Sequence, residues 1–372
     1  MSTAAPLAAP PAVGESAAFA ELLALAAREA ELSDATRELS PGIVTGLRAA
    51  GFARHFVARR FGGTEGTFAE FFQAVLDLSS ACAATGWCAA LLAASSRYAA
   101  HLPEAGHEAV WGPNADALIA TGLVPAGEAT AAVGSGWRLS GRWQYISGVT
   151  FADWALLCAK VAGEDGLRFF ALPRGSYEVV ESWDCVGMRA TGSHTVVVED
   201  VFVPAHLSFA RQDMETGVNA WSDVAAHNVP FQAIGATVFA LAPVGAAQGA
   251  LRAASAAVAG KRLTDTMQLE LVRASARIDA ARHLVEVNAT VVDDRAFTPR
   301  LLARNQRNAA FAAEQAAEAV AALLRAVGTA GLTESSPLQR LWRDVTAATS
   351  HIALRYDVTR AAANYTAALT AA

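Results

Sequence analysis

The segment Gly136-Trp137-Arg138-Leu139-Ser140-Gly141-Arg142-Trp143-Gln144-Tyr145-Ile146-Ser147-Gly148 opens a β-rich island in a chain that is otherwise Ala-rich and helical. The island closes with Trp183-Asp184-Cys185-Val186-Gly187-Met188-Arg189-Ala190-Thr191-Gly192-Ser193-His194, then Val196 to Pro204. Apolar and polar residues alternate through it, and side chains on a strand point to opposite faces in turn, so this pattern predicts strands. They are expected at 130–133, 137–145, 153–161, 167–172, 177–182 and 194–203, with Gly134-Ser135-Gly136 as a hairpin turn. Short strands so closely spaced predict a compact antiparallel barrel or sandwich. Small hydroxyls, glycines and aromatics set on strands suit a flat, buried, redox-active ring.

On either side of the island the period becomes helical. Upstream, Ser40-Pro41 reads as an N-cap followed by proline at the first helical position, and Gly51 as a stop. Phe61-Gly62-Gly63 is a turn, and Thr67 with Glu70 has capping-box spacing. Helices are expected at 68–83 and 86–101. Downstream, four long segments at 231–259, 262–292, 299–327 and 337–368 are broken by Gly260, Asp293-Asp294 and Gly328-Thr329-Ala330-Gly331. Short connections between long helices predict an antiparallel bundle. The order is α, then β, then α: a disordered tail at 1–15, a helical domain at 16–116, a β-barrel domain at 117–225 and a bundle at 226–372.

Composition narrows the class. A chain of 372 residues is too long for one ordinary core. Its 53% hydrophobic content and mean hydropathy of +0.28 owe much to alanine, which favours helix packing. The longest apolar run, Thr237 to Gly260, is broken by Pro243, Gln248 and Arg252, so no membrane span is expected. Met1 to Gly14 lacks the basic start of a signal peptide, which implies a cytoplasmic protein. A net charge of −6 without a Lys/Arg cluster argues against a nucleic-acid partner. Cys82, Cys88, Cys158 and Cys185 form no CxxC and lack a histidine at ligand spacing, so they read as reduced core thiols and not as a metal site.

This element order, with the motifs inside it, resembles the acyl-CoA dehydrogenase fold over nearly the whole chain. Gly141 to Gly148 resembles that family's flavin-lining strand, and Met188 through Pro204 its exit from barrel to bundle. Gly328-Thr329-Ala330-Gly331 followed by Pro337-Leu338-Gln339-Arg340-Leu341-Trp342-Arg343-Asp344 is similar to its C-terminal signature. The resemblance implies a mostly α, α+β fold: an N-terminal helical domain, a central antiparallel β-barrel and a C-terminal four-helix bundle. Many dehydrogenases carry a Glu-Gly-Thr-like segment after the Arg-Asp pair. Here Thr349-Ser350-His351-Ile352-Ala353-Leu354-Arg355-Tyr356-Asp357 contains no glutamate. A histidine followed by arginine and aspartate is similar to the flavin-dependent monooxygenases that share the fold. Trp183 to His194 is also nearer their Gly-Leu-Arg-Gly-Thr-Gly-Ser loop, from which Met188 and Ala190 depart.

The monooxygenase resemblance implies reduced FMN or FAD delivered by a separate flavin reductase, with O2 as cosubstrate and a C4a-hydroperoxyflavin as oxidant. It implies a homo-oligomer, tetramer or dimer, acting on a small or polycyclic aromatic or N-oxidising an amine. His351 is the expected acid/base group, because imidazole titrates near neutral pH. Ser147 is expected to bond the flavin N5 region and slow peroxide loss, although a strand-end hydroxyl is the simpler reading. The resemblance implies Tyr145 over Trp143 as the residue touching the ring, with Trp143 lining the substrate side or packing. Arg262, Gln268 and Arg325 are further expected cofactor contacts, and Trp87, Tyr98, His101 and His194 expected substrate contacts. A dehydrogenase or oxidase would need another carboxylate, such as Glu270 or Glu314, and a flavin-fold binding protein would need none.

Overall fold

The computed structural model describes residues 12–371. The expected tail therefore lies outside the described residues as far as residue 11, while Val13 is already buried against the core. Five helices come first: α1 (Ala17–Thr36), α2 (Pro41–Ala49), α3 (Phe68–Ala81), α4 (Ala83–Ala99) and α5 (Glu104–Trp111). Their starts follow the sequence. Ser40 caps α2 with Pro41 next, and Thr67 and Glu70 close a reciprocal capping box on α3.

Seven strands follow: β1 (Ile119–Ala132), β2 (Gly136–Ile146), β3 (Trp154–Val161), β4 (Leu167–Pro173), β5 (Glu178–Val180), β6 (His194–Pro204) and β7 (Ser208–Ala210). They form one sheet in the order β5-β6-β2-β1-β3-β4-β7. The hairpin turns at Gly134 and Ser135, both with positive φ, and pairs Ala132 with Gly136. All pairs are antiparallel except β1–β3, which is parallel. That pair differs from a wholly antiparallel sheet because β3 turns back from β2 and lands on the far edge of β1.

Trp143 anchors the middle of the sheet. Its indole is 1% exposed, donates from Nε1 to Cys158 O at 2.7 Å, and lies over Gly127 and Gly141, where an added Cβ would come within 2.2 Å and 2.6 Å of the ring. Trp143→Phe leaves Cys158 O without its donor, so it is expected to cost about 2 kcal/mol of stability. Urea midpoints measure that loss, and an unchanged midpoint would refute the anchoring role.

After α6 (Arg211–Thr216) come α7 (Phe231–Val258), α8 (Asp265–Asp293), α9 (Pro299–Val327), α10 (Pro337–Thr349) and α11 (Ala361–Thr370). Contacts of α7 with α3, α4, α8, α9 and α10 put it at the centre of the helices. It is long and apolar enough to cross a membrane by composition, yet 83% of its most apolar window is buried inside the protein. The expected single helix at 337–368 is broken after α10. Thr349 and Ser350 return their hydroxyls to the carbonyls of Val345 and Thr346, and His351 caps a 3-10 turn at 352–354. Local side-chain bonds of this kind compete with the helix ladder.

Candidate functional site

The end of β2 breaks the strand alternation. The β2–β6 register shifts between Trp143 and Ile146, and Tyr145 adopts a φ of 64°. An aromatic residue in that region is strained, and such strain concentrates at functional sites. The kink leaves Tyr145 69% exposed, with its ring 6.1 Å from that of Trp183 in an edge arrangement. Trp143 offers no face to a ligand, because it points into the sheet core.

Immediately after the kink, Ser147 enters a buried chain of hydroxyls. Trp87 Nε1 on α4 donates to Ser147 Oγ at 3.0 Å, Ser147 Oγ lies 2.8 Å from Ser193 Oγ, and Ser193 Oγ lies 2.7 Å from Thr191 Oγ1. The chain has a direction. Thr191 Oγ1 donates to Met188 O at 2.9 Å, and a carbonyl can only accept. Thr191 must therefore accept from Ser193, and Ser193 from Ser147. The one proton of Ser147 is committed, one lone pair takes the Trp87 N–H, and the other lone pair is free to accept from an N–H of a reduced flavin ring.

On the other side of Trp87 sits His351. The Trp87 ring meets the His351 ring edge-on at 5.7 Å, and Phe239 of α7 stacks on His351 at 4.0 Å and 17°. His351 lies not within a helix but at the cap after α10, where Nδ1 accepts from Ala353 N at 3.2 Å. The proton of the neutral ring thus sits on Nε2. Burial against these rings pulls the pKa of His351 down to about 4. At neutral pH it is a neutral donor through Nε2, not the near-neutral acid/base group expected from its residue type.

The other predicted residues scatter. Tyr98 and His101 are sealed in the interior, His101 at 2% exposure with neither ring nitrogen partnered, so they offer no surface to a substrate. His101 stacks on Phe209, and burial first, then the charge of Arg97, holds its pKa at about 3. Their α4 neighbour Arg97 turns inward to Val229 O. The expectation of a substrate wall there fails because this stretch of α4 is covered on all sides. His194 accepts at Nδ1 from the amides of Ser182 and Trp183, which leaves Nε2 as its donor. Beside it a cleft of about 370 Å³ is walled by Leu39, Val44, Thr150, Phe151, Gly192 and His194. A larger groove of about 950 Å³ around Trp221 and Arg295 lies away from the hydroxyl chain.

Arg262, Gln268 and Arg325 are exposed, and none of them takes part in the hydroxyl chain. Asn288 bonds Asn305 O, and Arg277 pairs with Glu318, so α8 and α9 run antiparallel. That pairing brings Gln268 and Arg325 to the same end of the bundle. Glu270 pairs with Arg273, and the exposed Glu314 accepts from Tyr356, so both alternative carboxylates serve bundle contacts. Sequence reasoning missed Phe239, Thr191, Ser193 and Asp344. Thr191 and Ser193 stood in the quoted loop, whereas nothing distinguished Phe239 in its Ala-rich helix.

Comparison with known proteins places this geometry. Residues 237–356 match the family described as acyl-CoA dehydrogenase, C-terminal domain. The FADH(2)-dependent resorcinol hydroxylase, oxygenase component, of Rhizobium sp. (strain MTP-10005) is 34% identical over 93% of this chain and 91% of its own length. The crystal structure of 3-HSA hydroxylase from Rhodococcus sp. RHA1 superposes with a TM-score of 0.86 at 29% identity, covering 94% of this chain and 95% of that one. XiaF from Streptomyces sp., in complex with FADH2 and glycerol, gives a TM-score of 0.83 at 29% identity over 94% and 96%. With an α-β-α order, a directed hydroxyl chain on the island and a histidine in place of a bundle glutamate, the chain belongs to the acyl-CoA dehydrogenase-fold flavin-dependent monooxygenases, as the oxygenase component of a two-component system.

Proposed function

We propose that this protein hydroxylates a small, electron-rich phenol in the cytoplasm, taking reduced FMN or FAD from a separate flavin reductase and O2 as cosubstrate. The observation that carries the reading is the pairing of a directed Ser147 acceptor with a neutral His351 donor across Trp87. The 34% identical relative is named for resorcinol, and from it we take only the ring class.

A bound reduced flavin supplies the electrons that activate O2. Ser147 would hold such a ring by accepting an N–H, and its own proton is committed to Ser193. Trp87 closes the site with an apolar wall and fixes Ser147 through its indole N–H. The neutral His351 would donate from Nε2 to the oxygen of a phenol and so orient its ring in the site. Phe239 keeps water from that face. The exposed Tyr145 and the half-buried Trp183 are the aromatic wall for the ring system.

The cofactor role of Arg262, Gln268 and Arg325 is proposed toward the flavin of a neighbouring subunit, since all three are exposed and none bonds to the Ser147 chain. The exposed Leu269 and Val272 on the same stretch of α8 support a homo-oligomer there.

The test supplies the protein with NADH, a flavin reductase, flavin and a panel of phenols and amines, and measures hydroxylated product against hydrogen peroxide. Conversion of amines but of no phenol would overturn the proposal. Ser147→Ala is expected to lower the product-to-peroxide ratio about tenfold, the effect of losing one hydrogen bond of ~1.4 kcal/mol. An unaltered ratio would remove Ser147 from the reaction.

A further inference from the structure

Asp344 lies on α10 and is almost fully buried. Its Oδ1 accepts the backbone N–H of Met188 at 2.6 Å, a bond of bundle to β domain. Met188 is a hub. Its carbonyl oxygen accepts the Trp183 indole N–H at 2.9 Å, the Thr191 hydroxyl at 2.9 Å and the Thr191 amide at 3.2 Å. Its φ of 53° lies in the left-handed region, which a residue with a Cβ holds only under outside constraint. The constraint is visible on both sides. A Cβ at Gly187 would come within 2.1 Å of Arg343 O, so α10 presses directly on the loop backbone. Arg343 spans the junction, with Nη2 2.7 Å from Asp34 Oδ2 on α1 and Nη1 2.5 Å from Val186 O.

The bonds run in order from Asp344 to the Met188 backbone, Thr191, Ser193, Ser147 and Trp87, whose ring meets His351. That path starts on α10 and finishes at the cap that follows it. We propose that Asp344 is a positioning residue that sets the hydroxyl chain against His351, so that α10 and the turn that follows it fix both sides of the flavin site. Asp344 touches no reacting atom and acts through the Met188 backbone. It holds the N–H on one side of the Met188 Cα, and the left-handed dihedrals there aim the carbonyl of the next peptide, which gives the hydroxyl chain its direction. The inference rests on the role proposed above for Ser147 and His351, but its first readout is independent of it.

Amide hydrogen exchange on the flavin-free wild-type protein reads the 186–194 segment without any reaction. The Met188 amide is expected to be protected like the β2–β6 ladder. Exchange as fast as at the 134–136 turn overturns the proposal, even if every variant fails to fold. Asp344→Ala is then expected to speed exchange across 186–194 at least tenfold while the α7 and α9 amides stay protected. In the coupled assay it is expected to shift oxygen use from product toward peroxide with flavin KM unchanged. Asp344→Asn, which keeps an acceptor oxygen, is expected to restore most of both. Wild-type exchange and wild-type product ratio in Asp344→Ala refute the positioning role. Altered exchange with an unaltered ratio leaves the loop contact standing but refutes its control of the site.

Discussion

Replacing His351 with alanine is expected to cut product formation about 100-fold or more while leaving reduced-flavin affinity within about threefold, the scale on which removing one preorganised donor acts. The ring is held from three directions, by Phe239 stacked at 4.0 Å, by the edge of Trp87, and by Ala353 N on its Nδ1. Each contact is lost with the imidazole, but Ser147 keeps its bonds to Trp87 and Ser193, so binding of the flavin ring survives. Because the His351 pKa is pulled down to about 4 by burial, its protonation state does not change between about pH 6 and 8. Turnover is expected to show no histidine limb in that range. A limb near 6.5 that disappears in His351→Ala would show the ring to be a titrating acid/base instead, and unaltered turnover in the variant would remove it from the mechanism.

The second large effect is on stability. His55, His227 and His351 are held at about 4 and His101 at about 3, against 6.5 unfolded, with burial the leading cause in each. A histidine depressed in this way binds its proton more readily in the unfolded chain. Its contribution is complete above pH 6.5 and is lost as pH falls through the folded value. Asp344 works in the opposite sense. Burial, then the charge of Asp34, raises it to about 6 against the pull of Met188 N–H, Arg340 and Arg343, so the folded state gains its proton first. The histidines outnumber it, and near pH 5 stability is expected to fall by on the order of 3 kcal/mol per pH unit. Urea midpoints at pH 7.5, 6 and 5 measure the slope, and a midpoint that does not fall would refute it.

The fold was readable because the period changes twice, from helical to alternating near residue 117 and back near 231, and the observed strands and helices begin close to those points. The break at Ser350 was not readable. It depends on hydroxyls that bond backward and on a ring that caps forward, and neither alters the apolar period. Ser147 and His351 were singled out through family resemblance, yet their link through Trp87 joins residues 60 apart in sequence. Asp344 carried no signal beyond its place in a signature, because its partner Met188 is 156 residues away. Trp143 and Tyr145 share a strand and differ by two residues, so simple alternation puts them on one face. The left-handed turn at Tyr145 separates them, and a backbone dihedral cannot be read from residue type here.

The central position of α7 bears on how the chain is made. Its most apolar window passes for a membrane span until α8, α9 and α10 cover it, and all three are synthesised later. The helices that precede it as partners are α3, α4 and the short α6. A nascent chain stopped near residue 260 therefore exposes its greasiest helix with more than half its cover missing, the condition under which partly folded chains aggregate or recruit chaperones. Chains trimmed of the C-terminal helices are expected to precipitate, and the fraction left in solution after centrifugation measures it.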